Sequence, residues 1–204
     1  MNLWIRHALV CQVQVLLLFF FGNLAVLQPE DPSLVSRHLT TLMLMQLVFN
    51  NEFLNFSRCP SLQDVRIVGC SFVHTTKISS QSLKRLRIIF GVFSLSFRTH
   101  IHAPNLVSLQ LDVYKGRVPV LETMPPLLVG VVTIHDSCAD RCICDDCGDY
   151  CVESCQGFLQ NDGSCVLLQG LSQAEDLGLV SGVETFMFRR DLKWGWAVEA
   201  SCTQ

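Results

Sequence analysis

Charge is scarce in this sequence. Lysine and arginine number 15, aspartate and glutamate 18, and together they make up 16% of 204 residues. With half of the residues hydrophobic, that scarcity excludes a disordered chain, which needs low hydrophobicity and high net charge. The net charge of -3 gives no basic excess, so no nucleic-acid partner is expected. Catalytic motifs are missing too. There is no Walker A loop, G-x-S-x-G elbow, H-E-x-x-H pair or G-x-G-x-x-G turn, and the chain reads as a non-enzyme. Long apolar runs are also lacking. The run 13–27 is fifteen residues, short of the roughly 20 that a spanning helix requires. It reads either as buried strands at one end of the fold or as a targeting segment, with the sequon Asn55-Phe56-Ser57 usable only in a secreted, Cys-rich chain.

What the sequence does have is a repeat. Leu39-x-x-Leu42-x-Leu44 recurs as Leu62-x-x-Val65-x-Ile67, Leu83-x-x-Leu86-x-Ile88 and Leu106-x-x-Leu109-x-Leu111, at spacings of 23, 21 and 23 residues. Leu127-x-x-Gly130-x-Val132 follows 21 residues later, and Ala174-x-x-Leu177-x-Leu179 resumes the pattern after a further 47, about two periods. Val13-x-x-Leu16-x-Leu18 reads as an earlier copy. Pro60, Pro104 and Pro125 each stand two residues before a first leucine, where a proline constrains the chain without removing a ladder donor.

This is the signature of a leucine-rich repeat. The expected fold is an α/β solenoid of about six to seven repeats, a curved parallel sheet with helical or irregular outer segments. Each unit lays down one strand, and stacked units bury a core that none could close alone. Strand alternation turns the fourth and sixth positions inward. Cys70 completes L-x-x-L-x-L-x-x-C and reads as a small buried side chain. The third, fifth and seventh positions face outward and form the candidate partner-binding set: Asp64, Arg66, Arg85, Arg87, Gln110 and Asp112. Two readings of this set stand open. Asp64 and Arg85 pair across strands on a solvated face, or the arginines dock an acidic peptide or phosphate.

Eleven cysteines are present, and six fall in 138–155, CADRCICDDCGDYCVESC. The stretch 136–162 holds seven acids against Arg141, so the rest of the chain is net positive. Cys144-x-x-Cys147 with Cys151-x-x-x-Cys155 has the donors for a tetrahedral zinc site, which would make the chain a zinc-binding adaptor. The spacing matches no standard finger, and the acids disfavour thiolates. An acidic surface loop inserted between repeats, with no cofactor, and a disulfide cluster are the other readings. His100-x-His102 puts two rings on one strand face, two ligands at most. The expected organisation is repeats over 1–135, a Cys-rich insertion over 136–165, a further repeat over 166–194 and a divergent tail over 195–204.

The stretch SRHLTTLMLMQLVFNNEFLNFSRCPSLQDVRIVGCSF, then KISSQSLKRLRI and FRTHIHAPNLVSLQLDVYKGRVPVLETMPPL, resembles the repeat region of plant F-box proteins of the large grass subgroup. The acidic Cys/Asp insertion, VLLQGLSQAEDLGLVSG and ETFMFRRDLKW are similar to it as well, so the resemblance runs from about Trp4 to Trp194. It implies the substrate-recognition part of a Skp–cullin–F-box ubiquitin ligase receptor. Such a module holds an as yet unknown protein substrate, performs no chemistry itself, and works in the cytoplasm or nucleus. No F-box is legible after Met1 and the pattern changes at Gly195, which reads as a truncated form. Binding of a Skp-type adaptor is expected only with an F-box upstream.

Overall fold

The computed structural model describes residues 11–20, 25–27, 35–122, 124–135, 137–138 and 166–181. Each L-x-x-L-x-L unit alternates aliphatic and non-aliphatic positions, which is a strand pattern, and each forms one strand. These are β1 (Val15–Phe19), β3 (Thr41–Met45), β6 (Asp64–Val68), β9 (Arg85–Phe93), β11 (Ser108–Lys115), β13 (Val129–Ile134) and β14 (Asp176–Ser181). They lie side by side in that order, all parallel, as the main path of a ten-stranded sheet. Short strands β2 (Ala25–Leu27), β4 (Leu47–Phe49) and β7 (Ser71–Phe72) continue the ladder past the bends and join it at β9.

The chain returns through a second, four-stranded parallel sheet made of β5 (Phe53–Asn55), β8 (Lys77–Ser79), β10 (His100–His102) and β12 (Val120–Glu122). A six-residue helix, α1 (Val166–Leu171), packs against β12 as the fifth return segment. The molecule is therefore a parallel β-solenoid of about five turns. Two expectations change. Where helical or irregular outer segments were expected, four of the five returns are strands. Phe53-Leu54-Asn55, Lys77-Ile78-Ser79, His100-Ile101-His102 and Val120-Leu121-Glu122 each bury one central aliphatic between two outward residues, a period of two too short for a helix. Six to seven repeats were also expected. Seven strands do line the main path, but among the described residues β1 and β14 lack a return segment in the second sheet.

The core lies between the two sheets. Leu42, Leu44, Val65, Ile67, Leu86, Ile88, Leu109, Leu111 and Val132 are all buried, as the fourth and sixth positions require. Leu177 on β14, an edge strand among the described residues, is 43% exposed. The register aligns the unit at 174–179 with that at 127–132, Val129 opposite Asp176 and Val131 opposite Gly178. The 47-residue spacing is thus bridged without loss of phase.

After β3, after β6 and within β9 the backbone turns through a left-handed residue. Gln46, Gly69 and Phe90, at φ 55°, 59° and 54°, occupy this bend in successive turns. The bend shifts the strand alternation by one, so Leu47 and Cys70 point inward and Phe49, Phe72 and Phe93 follow them. The three phenylalanines stack through the core with centroids 5.0 Å apart at each step. Cys70 Sγ accepts from the Leu47 backbone N–H at 3.3 Å, and burial pushes its thiol up to about 11. It is the inert structural side chain that its place in the signature implies. At the next corner Thr75 Oγ1 donates to the Asn51 carbonyl (3.0 Å) and Thr99 Oγ1 to the Thr75 carbonyl (2.7 Å). These buried hydroxyls tie consecutive turns together where the backbone leaves the ladder.

Candidate binding face

The outward side of the main sheet is built from the third, fifth and seventh positions. Its third-position row runs Thr41, Asp64, Arg85, Ser108, Val129, Asp176 in direct register. The fifth-position row runs Met43, Arg66, Arg87, Gln110, Val131, Gly178. Arg66, Arg85 and Arg87 therefore do stand on adjacent strands.

Their surroundings differ. Arg85 Nε donates to Asp64 Oδ2 at 2.7 Å across β6 and β9. The pair is exposed, so it contributes on the order of 0–1 kcal/mol. Arg66 and Arg87 face each other directly in the ladder, and neither has a hydrogen-bond or ion-pair partner among the described residues. The expected cross-strand pair of Asp64 and Arg85 is present. One arginine is neutralised by its neighbour, and two like charges sit side by side without a counter-charge. Like charges directly opposite destabilise a strand pair, and an anion placed between them removes that cost. Gln110 continues the row beside Arg87.

Asp112 stands apart from the arginines. Its side chain turns toward β13, where its Oδ1 lies 2.8 Å from His135 Nε2. Both atoms are sealed from solvent and misaligned for a hydrogen bond, so the contact is electrostatic only when the ring is protonated. Two aromatic rings pack against His135. Phe90 and Tyr114 meet edge-on at 6.3 Å, and their centroids lie 5.8 Å and 5.6 Å from that of the imidazole. Phe90 is 49% exposed and Tyr114 48%. Tyr114 and His135 each lie two positions past a seventh position, so counting by two along β11 and β13 finds them. Phe90 could not be found that way, because the left-handed bend moves it onto the outward face. A non-glycine residue in that conformation costs about 1–2 kcal/mol.

The second sheet carries a separate polar cluster. Glu122 accepts from Lys77 Nζ (2.9 Å) and pairs with His100 Nδ1 (2.8 Å), with His102 Nδ1 at 3.8 Å. The hydrogen bond from Lys77, and then that with His100, hold its carboxyl below the ordinary carboxylate range. His100 and His102 do share a face, as expected. Their Nδ1 atoms are directed at a carboxylate that Lys77 already neutralises. Among the described residues no group of three His, Cys, Asp or Glu side chains is arranged to hold a metal ion. The four thiols considered for zinc, Cys144, Cys147, Cys151 and Cys155, lie outside the described residues. No described helix is long and apolar enough to cross a membrane.

Comparison of the chain with protein families, characterised proteins and solved structures finds no match. The reading of this face therefore stands on the geometry and the repeat alone.

Proposed function

We propose that the chain is a protein-binding leucine-rich-repeat module that acts like the substrate-recognition part of an F-box receptor. The outward face of its main sheet is the contact surface, and the chain performs no catalysis. The repeat signature with its 21–23-residue period, and the resemblance to the repeat region of plant F-box proteins, support the family. The observation that carries the function is the Arg66–Arg87 pair, two guanidinium groups on neighbouring strands without a counter-charge among the described residues. Guanidinium groups at this spacing suit carboxylates presented by another protein. A receptor of this kind accelerates ubiquitin transfer only by raising the local concentration of the bound protein near the conjugating enzyme. The outward rows change their side chains without disturbing the buried columns, so such a scaffold can take many partners.

The test uses the chain fused behind an F-box and reconstituted with adaptor, cullin and conjugating enzyme. The fusion is expected to capture proteins from extract and to direct ubiquitin onto them. Reversing both charges, Arg66→Glu with Arg87→Glu, is expected to abolish capture while leaving the far-ultraviolet dichroism unchanged. Capture that survives the double reversal would remove this face from the function.

A further inference from the structure

Phe90 is held where a large apolar residue gains little. The same bend is made by Gln46 and by Gly69 in the two preceding turns, so the coil does not require an aromatic there. The ring is half exposed, so burial does not compensate for the left-handed backbone. It is nevertheless fixed in place, by edge contact with Tyr114 and by the imidazole of His135. Tyr114 is similarly exposed, so the two rings offer a firm apolar surface to solvent on the same side of the sheet as the arginines. Along β9 that surface begins three residues beyond Arg87, roughly 10 Å away, the reach of three residues of extended chain.

Resting on the reading of this face as protein-binding, we propose that Phe90, Tyr114 and His135 form an apolar subsite next to the Arg66–Arg87 pair. The occupant of the combined site is an extended acidic segment of a partner protein that carries a large apolar side chain about three residues from its carboxylates. Charge sets the first half of this assignment. Of three guanidinium groups on β6 and β9 only Arg85 is paired, with Asp64, while the Asp112 carboxylate on β11 lies 2.8 Å from His135, so Arg66 and Arg87 set where the carboxylates of the ligand sit. The rings set the second half. Rigid aromatic side chains lose little entropy when they are covered, which makes them anchors for an apolar side chain. A single-stranded nucleic acid also uses arginine and aromatic rings, but it needs a longer basic track than two free guanidinium groups on a chain of net charge -3.

The test pans a displayed library of random twelve-residue peptides against the full chain, then measures the selected peptides by fluorescence anisotropy. The expected selection is Asp or Glu with Phe, Trp or Leu two to four residues away. Phe90→Gly is expected to weaken binding about tenfold while the thermal midpoint holds or rises, because glycine adopts that bend without strain. A peptide with its apolar residue replaced by serine should bind wild type and Phe90→Gly alike, as a coupled pair requires. Arg66→Gln and Arg87→Gln should weaken binding and reduce its salt dependence. Peptides that depend on the arginines but not on Phe90 would overturn the subsite and leave the protein-binding reading standing. No selected peptide, or binding indifferent to both, would sink the two together. A poly-uridine oligonucleotide that displaces the peptides with higher affinity would overturn the choice of a peptide.

Discussion

Gly116 has φ +95°, and a Cβ built there would collide with the carbonyl of Phe93 in the turn below. Backbone angle and close approach together admit only glycine. Gly116→Ala is expected to destabilise the protein by about 2–4 kcal/mol, read as a fall in thermal midpoint. Gly178→Ala is the control. Its Cβ would meet Val131 methyl carbons at 3.6–3.7 Å, an ordinary contact, so a change below about 1 kcal/mol is expected. An equal loss in both variants would show that the collision with Phe93 is not what limits position 116. Among the site residues, the Asp64–Arg85 pair was legible because strand alternation and the 21-residue offset place the two directly opposite. The turning of Asp112 toward His135 was not legible. It depends on a rotamer that the rings of Phe90 and Tyr114 enclose, and no periodicity encodes that.

At the scale of elements, the stacked phenylalanines join the bends of three turns into one column. Phe72 is the middle ring, fully buried and in contact with a ring on each side. Phe72→Ala is expected to cost about 3–5 kcal/mol by chemical denaturation, more than truncating a ring with a single ring neighbour, because it opens a cavity facing two neighbours. On the second sheet, Glu122 fastens β8, β10 and β12 through Lys77 and His100. Its carboxyl is held below its ordinary range in the folded state, so its contribution is present at neutral pH. That contribution declines as pH falls through and below about 4.3. Glu122→Gln is expected to lower stability at pH 7 by no more than about 1 kcal/mol, since the cluster is partly exposed. The difference from wild type should shrink toward pH 3. A gap that widened between about pH 4 and pH 3, where the carboxyl itself takes up its proton, would contradict the sign. The strands of the second sheet escaped the sequence reading because three-residue segments carry too few positions to show a period.

For the whole molecule, each turn contacts only its neighbours, so stability is close to a sum of turn and interface terms. Amide exchange is expected to be slowest in β6, β9 and β11, which lie at least two strands in from either end of the main path, and to quicken toward β1 and β14. Uniform protection across β1 to β14 would mean that the solenoid opens as a single unit. At β14 the pattern of exposure agrees with the stacking argument. Leu177, an inward position of β14, is exposed, whereas the inward columns of the central turns are closed and Leu16 of β1 is buried.

The period, the strand phase, the inward columns and the outward rows were determined by the sequence alone, because all follow from local alternation repeated every 21–23 residues. Stacking then needed only to keep the phase, which it did even across the 47-residue spacing. The tertiary structure alone decided three things: the second sheet, the left-handed bend that turns Phe90 outward, and the turning of Asp112 toward His135. Each depends on what the adjacent turn presents at van der Waals or hydrogen-bonding distance. That neighbour lies more than twenty residues away in sequence, so its side-chain geometry is absent from any local pattern.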